Sequence, residues 1–154
     1  MNSIDAQKMT LRIATLDDYE RVYTLWLNTP NMGLNDIDDS KEGIAKYLLR
    51  NPKTCFVAEK DGDIIGVILC GHDGRRGYIH HAAVAQNEQG CGVGASLVSA
   101  ALVALEGEGI SKAALVVFEK NEKGNAFWEK QGFTARPDLV YRNKEIAKLT
   151  RIDT

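Results

Sequence analysis

The chain is short of the residues that staple, break or span. Its 154 residues include three cysteines, Cys55, Cys70 and Cys91. An odd number with no C-x-x-C pair, and none at metal spacing from His72, His80 or His81, excludes a disulfide framework and predicts no metal site. Cys55 and Cys70 lie in apolar runs and read as small buried residues, a usage that fits a reducing, cytoplasmic compartment. Only three prolines are present, and no proline-rich linker, repeat or low-complexity tract marks a boundary. Apolar runs such as residues 64–70 are far shorter than the ~20 residues of a membrane helix, so no membrane partner is expected. Residues 1–8 are polar, without the basic start and apolar stretch of a secretory signal. A basic excess is missing too: 19 Lys and Arg face 21 Asp and Glu, a net charge of -2, which leaves no general field for nucleic acid.

What is present is ordinary globular material. Hydrophobic residues make up 44% and charged residues 26%, close to average domain usage. The length suits one domain, expected over residues 9–154 behind a flexible segment 1–8. Residues 11–14 read as a strand. Asp17 and Asp18 suit a first helical turn, and Val22, Leu25 and Trp26 follow at helical spacing. Residues 28–38 hold Asn28, Pro30, Asn31, Gly33 and Asn35 and read as a loop. A second helix starts at Asp39 or Ser40, because Asp39 with Glu42 three residues on is a capping-box pattern. Asn51-Pro52 stops it.

Strands at 54–59 and 64–71 form a hairpin across Asp61-Gly62, and a third strand covers 78–85. A glycine-rich turn leads to a helix over 95–106, ended by Gly107 and Gly109. Residues 113–118 are an apolar strand, as in a sheet covered on both faces. A helix over 123–131 and a final strand over 139–144 complete the order β-α-α-β-β-β-α-β-α-β. A strand meander entering a βαβ crossover predicts an α+β domain with a mixed, mostly antiparallel central sheet flanked by helices.

Chemistry concentrates at Gln89-Gly90-Cys91-Gly92-Val93-Gly94-Ala95, which follows a strand and opens a helix. Glycines let the chain turn sharply and bring backbone N–H groups to an anion. The helix start adds unpaired donors and a partial positive charge of ~0.5 e. The alternative is a tight β-to-α connection with no ligand, but three glycines at alternate positions exceed what one turn needs. The glycine-lysine-serine/threonine of a P-loop is absent. Gly90, Gly92 and Ala95 fit the dinucleotide pattern G-x-G-x-x-A with Glu119 downstream. Too little chain follows Glu119 for such a fold, which makes a nicotinamide cofactor a distant second.

Ala83-Val84 followed by Gln89-Gly90-Cys91-Gly92-Val93-Gly94 resembles the hallmark R/Q-x-x-G-x-G/A of the GNAT superfamily of N-acetyltransferases. Asn121 to Trp128, then Glu129-Lys130-Gln131-Gly132-Phe133, looks like that family's N-x-x-A-x-x-x-Y-x-x-x-G-F. Leu11-Arg12-Ile13-Ala14-Thr15 with Asp17-Asp18 resembles its start, so the likeness covers about residues 9–144. The resemblance implies acetyl-coenzyme A as co-substrate, no metal, and a primary amine as acceptor in a ternary complex. It implies that the pyrophosphate lies on the amides of Gln89, Gly90, Cys91, Gly92, Val93, Gly94 and Ala95. It also places the pantetheine arm along Ala82, Ala83 and Val84, with the Val84 amide as oxyanion donor. Cys91, within the phosphate turn, is no nucleophile. Small acetyltransferases of this kind often pair, so a homodimer is a candidate assembly. A coenzyme-A-binding interaction module without catalysis is the alternative, favoured by one departure. Trp128 stands where the family commonly has a tyrosine that reprotonates the leaving thiolate, and an indole N–H cannot be that acid.

Independently of the family, Asn121, Asn125 and Trp128 fall on one helix face with Gly124 beside them. A helical glycine costs ~1 kcal/mol against alanine, so either something approaches closely at Gly124, such as the acyl-pantetheine arm, or the helix starts late. A neutral amine is needed for attack, and alkyl amines titrate near ~10.4. His80 and His81 are the histidines near the expected thioester, and strand alternation sends them to opposite faces. His80, sharing a face with Tyr78 and Ala82, is the candidate base. Tyr141 is the remaining candidate acid, with solvent as its rival. The acceptor pocket is expected from residues 28–39 and 136–140, where Asp36, Asp38 and Asp39 hint at a cationic amine or are plain turn residues.

Overall fold

The computed structural model describes residues 9–153. Strand β1 (Met9–Ile13) leads through a single helical turn at Leu16–Asp18 into α1 (Tyr19–Leu27), and α2 (Lys41–Arg50) follows a loop. Strands β2 (Phe56–Lys60), β3 (Asp63–His72) and β4 (Gly77–Val84) make the meander. A single helical turn at Gln86–Glu88, helix α3 (Val93–Gly107), strand β5 (Ala113–Ala114) and helix α4 (Glu122–Lys130) complete the elements of the described residues. The five strands lie in sequence order, antiparallel except for the parallel β4–β5 pair. This is the α+β arrangement with a mixed sheet expected from the pattern.

Strand alternation sorts the core into two layers. Val57, Val67, Leu69 and Ala83 pack under α1 and α2 with Val22, Leu25, Trp26 and Ile44. Ile68, Cys70 and Ile79 pack against α3 through Leu97, Val98, Ala101 and Leu105. Trp26, Val67, Ile68 and Ala101 are wholly buried, each large side chain contributing about 1.5–3 kcal/mol of burial. Burial pushes the Cys55 and Cys70 thiols up to about 12, which leaves them protonated and inert. The Asp61-Gly62 turn closes the β2–β3 hairpin with φ of 54° and 83°, the left-handed pair that a two-residue hairpin needs.

Four expectations change. Ser40, not Asp39, caps α2, its Oγ accepting from the Gly43 N–H at 3.0 Å. Helix α3 starts at Val93, two residues early. The apolar run 113–118 joins the ladder only at Ala113 and Ala114, opposite Gly77 and Tyr78, and Val116 is exposed. Pairing stops there because β4 is bulged beyond Tyr78, and a bulge bends and twists its strand away from its neighbour. Residues 139–144 form no strand within the described chain. The chain instead bonds further on to the loop between α1 and α2. There Asp36 N–H donates to Thr150 O at 3.0 Å and Ile152 N–H to Leu34 O at 3.0 Å.

Candidate active site

A cleft of about 1900 Å3 opens between the α2 side of β4, the start of α3 and the segment around α4. Its floor is the far half of β4. From Ile79 to Val84 this strand pairs with β3 on one edge and has no described strand on the other. Ala85 N–H donates to Ile65 O at 2.8 Å, toward β3. Backbone alternation therefore turns the amides of Val84 and Ala82 to the open edge. Gln89 folds back over this strand end, its Nε2 donating to Val84 O at 3.2 Å.

Beyond the strand the glycine turn presents bare backbone. Gly90 and Gly92 have φ of 83° and 85°, and a Cβ on either would meet nothing within 4 Å. The left-handed angle requires glycine, and the emptiness leaves room for a ligand. The first α3 backbone bond across this start is Ser96 N–H to Gly92 O at 3.0 Å, so Val93, Gly94 and Ala95 amides have no intrahelical acceptor. Cys91 is exposed. The third glycine has a packing cause: a Cβ on Gly94 would lie 3.0 Å from the Phe127 ring. Glycine there lets α4 close onto α3. The donors fit a diphosphate, since they are main-chain, unobstructed and at the positive end of a 15-residue helix.

The opposite wall is made of side chains, and β4 folds it in a way that alternation did not predict. Leu69 faces His81 and Cys70 faces Ile79, so His80 is the extra residue of a bulge. The bulge breaks the alternation and puts both histidines on the α1–α2 side, while Ala82 packs on the α3 side. His80 stands edge-on to the Tyr47 ring at 5.4 Å and tilted on Tyr78 at 4.6 Å. Loss of water against its surroundings, then the neighbouring His81, pull its pKa below the usual histidine value. His81 meets the Trp26 ring at 4.9 Å, and its Nε2 lies 2.7 Å from Asp39 Oδ1. The other Asp39 oxygen accepts from Asn35 N–H at 2.8 Å, so this buried carboxylate ties the loop between α1 and α2 to β4.

At the start of helix α4 the polar side chains turn to their own backbone, the late-start alternative for Gly124. Asn121 caps the helix, accepting from Gly124 N–H at 2.9 Å. What approaches Gly124 is that amide itself, since a Cβ there would sit 2.4 Å from Asn121 Nδ2. Asn125 Nδ2 donates to Phe118 O and Asn121 O. Both amides thus serve the helix start. Trp128 is edge-on between Phe127 and Phe133 at 5.0 and 5.2 Å, forming part of the cleft wall. Tyr141 is exposed and also lines the cleft. Residues 136–140 do not reach it, because Arg136 folds onto Asp138 at 2.8 Å and the chain enters the cleft only from Tyr141 on.

Residues 17–133 match the Acetyltransferase (GNAT) family. The chain belongs to that family. An acetyltransferase of Pectobacterium atrosepticum is 33% identical over 79% of this chain and 85% of its own. Among solved structures, an N-acetyltransferase of Thermoplasma acidophilum in complex with coenzyme A is similar with TM-score 0.74, at 17% identity over 84% of this chain and 92% of that one. Ard1 from Thermoplasma volcanium is similar with TM-score 0.73, at 22% identity over 82% of each chain. The fold is the GNAT fold and the protein is an acyltransferase.

Three groups of this GNAT site have surroundings that the sequence does not announce. Asp39 looks like a helix cap because an acid three residues before a glutamate usually is one. His81 looks like the histidine pointing away because a regular strand alternates. Their pairing joins residues 42 apart in the chain, and no local pattern announces it. Tyr47 is a third: burial at the α2–β3 contact leaves its hydroxyl without a described partner.

Proposed function

We propose that this acyltransferase moves an acetyl group from acetyl-coenzyme A to a primary amine by direct attack in a ternary complex. The observation that carries the reading is a continuous track. The open edge of β4 from Ile79 to Val84 runs into the bare amide end of α3, and His80 borders the same cleft. Acetyl-coenzyme A supplies an activated acyl carbon. The amides of Gln89, Gly90, Cys91, Gly92, Val93, Gly94 and Ala95 hold its diphosphate, and the β4 edge at Ala82 to Val84 aligns its extended arm. The Val84 N–H donates to the carbonyl oxygen as negative charge grows there. Asn121, Gly124 and Asn125 build the α4 start that backs the arm, and Trp128 closes the wall.

His80, kept neutral by its lowered pKa, takes the proton of the incoming amine as nitrogen bonds to the acyl carbon and the C–S bond breaks. The departing sulfur is a weak base, near ~8.5, so Tyr141 or water suffices to protonate it. The acceptor enters past residues 28–39, where Asp38 offers an exposed carboxylate to a cationic amine. The coenzyme A in the Thermoplasma acidophilum structure supports the same carrier here.

Release of free thiol from acetyl-coenzyme A, screened over polyamines, amino acids, aminoglycosides and peptide amino termini, tests the reading. Turnover with one amine class supports it. Tight coenzyme A binding with no turnover on any amine refutes amine acetylation.

A further inference from the structure

We propose that the acceptor is a small amine that also carries an anionic group, a carboxylate or a phosphate, and that Lys46 and Arg50 of α2 read that group. This specificity rests on the amine acetylation proposed above and narrows its substrate class. Three observations carry it: one helix face aimed at the cleft, two cations on that face without an ion pair, and their distance from the glycine turn.

Helix α2 turns Gly43, Lys46, Tyr47 and Arg50 to the cleft, the i, i+3, i+4, i+7 row of one helical face. Two of the four have packing reasons to be there. A Cβ on Gly43 would lie 2.3 Å from Ile37 O, and the Tyr47 ring meets the His80 ring at 5.4 Å. Lys46 and Arg50 are exposed. Arg50 in the last turn suits the negative end of the helix dipole. Lys46 in mid-helix has no such reason, and like charges four residues apart weaken a helix.

Among the described residues neither cation has an ion pair. Glu42 stands one turn before Lys46, a spacing at which Glu and Lys commonly pair, and no ion pair joins them. Lys41, on the opposite face of the same helix, does pair, its Nζ donating to Glu20 Oε1 at 2.7 Å. Acids around the cleft are engaged elsewhere: Asp39 with His81, and Glu88 with Lys60 at 3.1 Å. Asp38 accepts from Asn35 Nδ2 at 3.1 Å and stays exposed to the cleft. The wall thus offers an anion at the loop and two cations along α2. That pattern complements an acceptor with an amine at one end and an anion at the other.

Distance separates these cations from the carrier's diphosphate. Tyr47 meets His80, and from His80 to Val84 the strand runs ~13 Å, with the glycine turn beyond. Arg50 follows Tyr47 by three residues, roughly 5 Å along the helix axis. An amine held at His80 therefore needs a linker of only about three or four atoms to bring an anion between Lys46 and Arg50. Arg50 can grip a carboxylate or phosphate through two parallel N–H bonds, and Lys46 adds a point charge.

Thiol release from acetyl-coenzyme A, with 4-aminobutyrate, butylamine and 1,4-diaminobutane as matched acceptors, tests the anion. A second pair, 3-aminopropyl phosphate against 3-aminopropanol, separates phosphate from carboxylate. The better anionic acceptor is expected to exceed its neutral match in kcat/KM by at least about 10-fold, with the diamine lowest. In Lys46→Gln/Arg50→Gln the ratio of anionic to neutral acceptor is expected to fall by at least about 10-fold, through KM. In Lys46→Glu/Arg50→Glu the preference is expected to turn to the diamine. Neutral or cationic acceptors that match both anionic ones on the wild type overturn the anion specificity and leave amine acetylation standing. So does a ratio that the Gln double variant leaves unmoved. Calorimetric titration of 4-aminobutyrate and 3-aminopropyl phosphate into the coenzyme-A-saturated protein tells the two failures apart. Binding that the double variant weakens, without turnover on any amine, keeps the anion site and refutes acetylation. Neither binding nor turnover refutes both.

Discussion

Under the proposed function, the two walls of the cleft would recognise by different means. The carrier wall is backbone: a strand edge, a helix start, and glycines whose missing side chains leave the amides open. The acceptor wall is side chain: Asp39, His80, His81, Tyr47 and Tyr78, brought together by a bulge and by contacts distant in sequence. Backbone recognition suits a ligand part that never varies, since a main-chain N–H has one geometry whatever its residue. Side-chain recognition suits a part that differs between enzymes, because each group can be exchanged separately. One fold can then keep its carrier and change its acceptor.

That division can be broken at each wall. The largest effect is expected from Gly92→Glu. It places a carboxylate among the diphosphate donors and a side chain at φ of 85°, so coenzyme A affinity should fall by more than about 100-fold, the loss of at least two charge-assisted bonds. Calorimetry reads the affinity, and an unchanged value would falsify the cradle. Next comes Asp39→Ala, which strands the Asn35 N–H and the His81 ring in a buried place. A stability loss of about 3 kcal/mol is expected, read by urea denaturation. A loss below about 1 kcal/mol would mean that the pair does not tie the loop to the sheet.

His80→Gln is expected to lower kcat/KM by about 10- to 100-fold on the best amine from the screen, with coenzyme A affinity unchanged. The wild-type pH–rate profile should lose activity at acid pH with a midpoint below the ordinary ~6.5 of histidine, and the variant should lack that limb. The sign for stability is the same. The folded pKa lies below the unfolded one, so the unfolded chain binds more protons as pH falls. This contribution is present above about 6.5 and lost as pH falls through the folded value. A profile identical in both proteins would make His80 a packing residue. The smallest effect belongs to Asn121→Ala, which removes the α4 cap and should cost about 1 kcal/mol. Coenzyme A affinity unchanged in that variant would mean that the helix start supports only its own fold.

Legibility in the sequence follows the same division. The strand-to-helix corner with its bare glycines was readable because glycine, strand and helix signals are local and lie next to each other in residues 83–95. The sheet meander was readable for the same reason, through Asp61-Gly62 and alternating apolar runs. The acceptor wall was only half readable. His80 was singled out, yet its companion was misjudged, because a bulge is set by how two strands pair and not by the residues of one. Gly124 and Gly94 show the reverse case. Both looked like sites of ligand approach, and both are crowded by the protein itself, by Asn121 and by Phe127.

From its own order of residues the chain determined its class of fold, the strand meander, and the place where a strand meets a glycine-opened helix. These depend on interactions between neighbours a few positions apart. Tertiary structure alone decided that β4 bulges at His80, that Asp39 pairs with a histidine 42 residues away, that β5 leaves the sheet after two residues, and that residues 139–144 form no strand. Each of those outcomes is set by which distant surfaces compete for the same partner, a competition that has no representation in any short stretch of sequence.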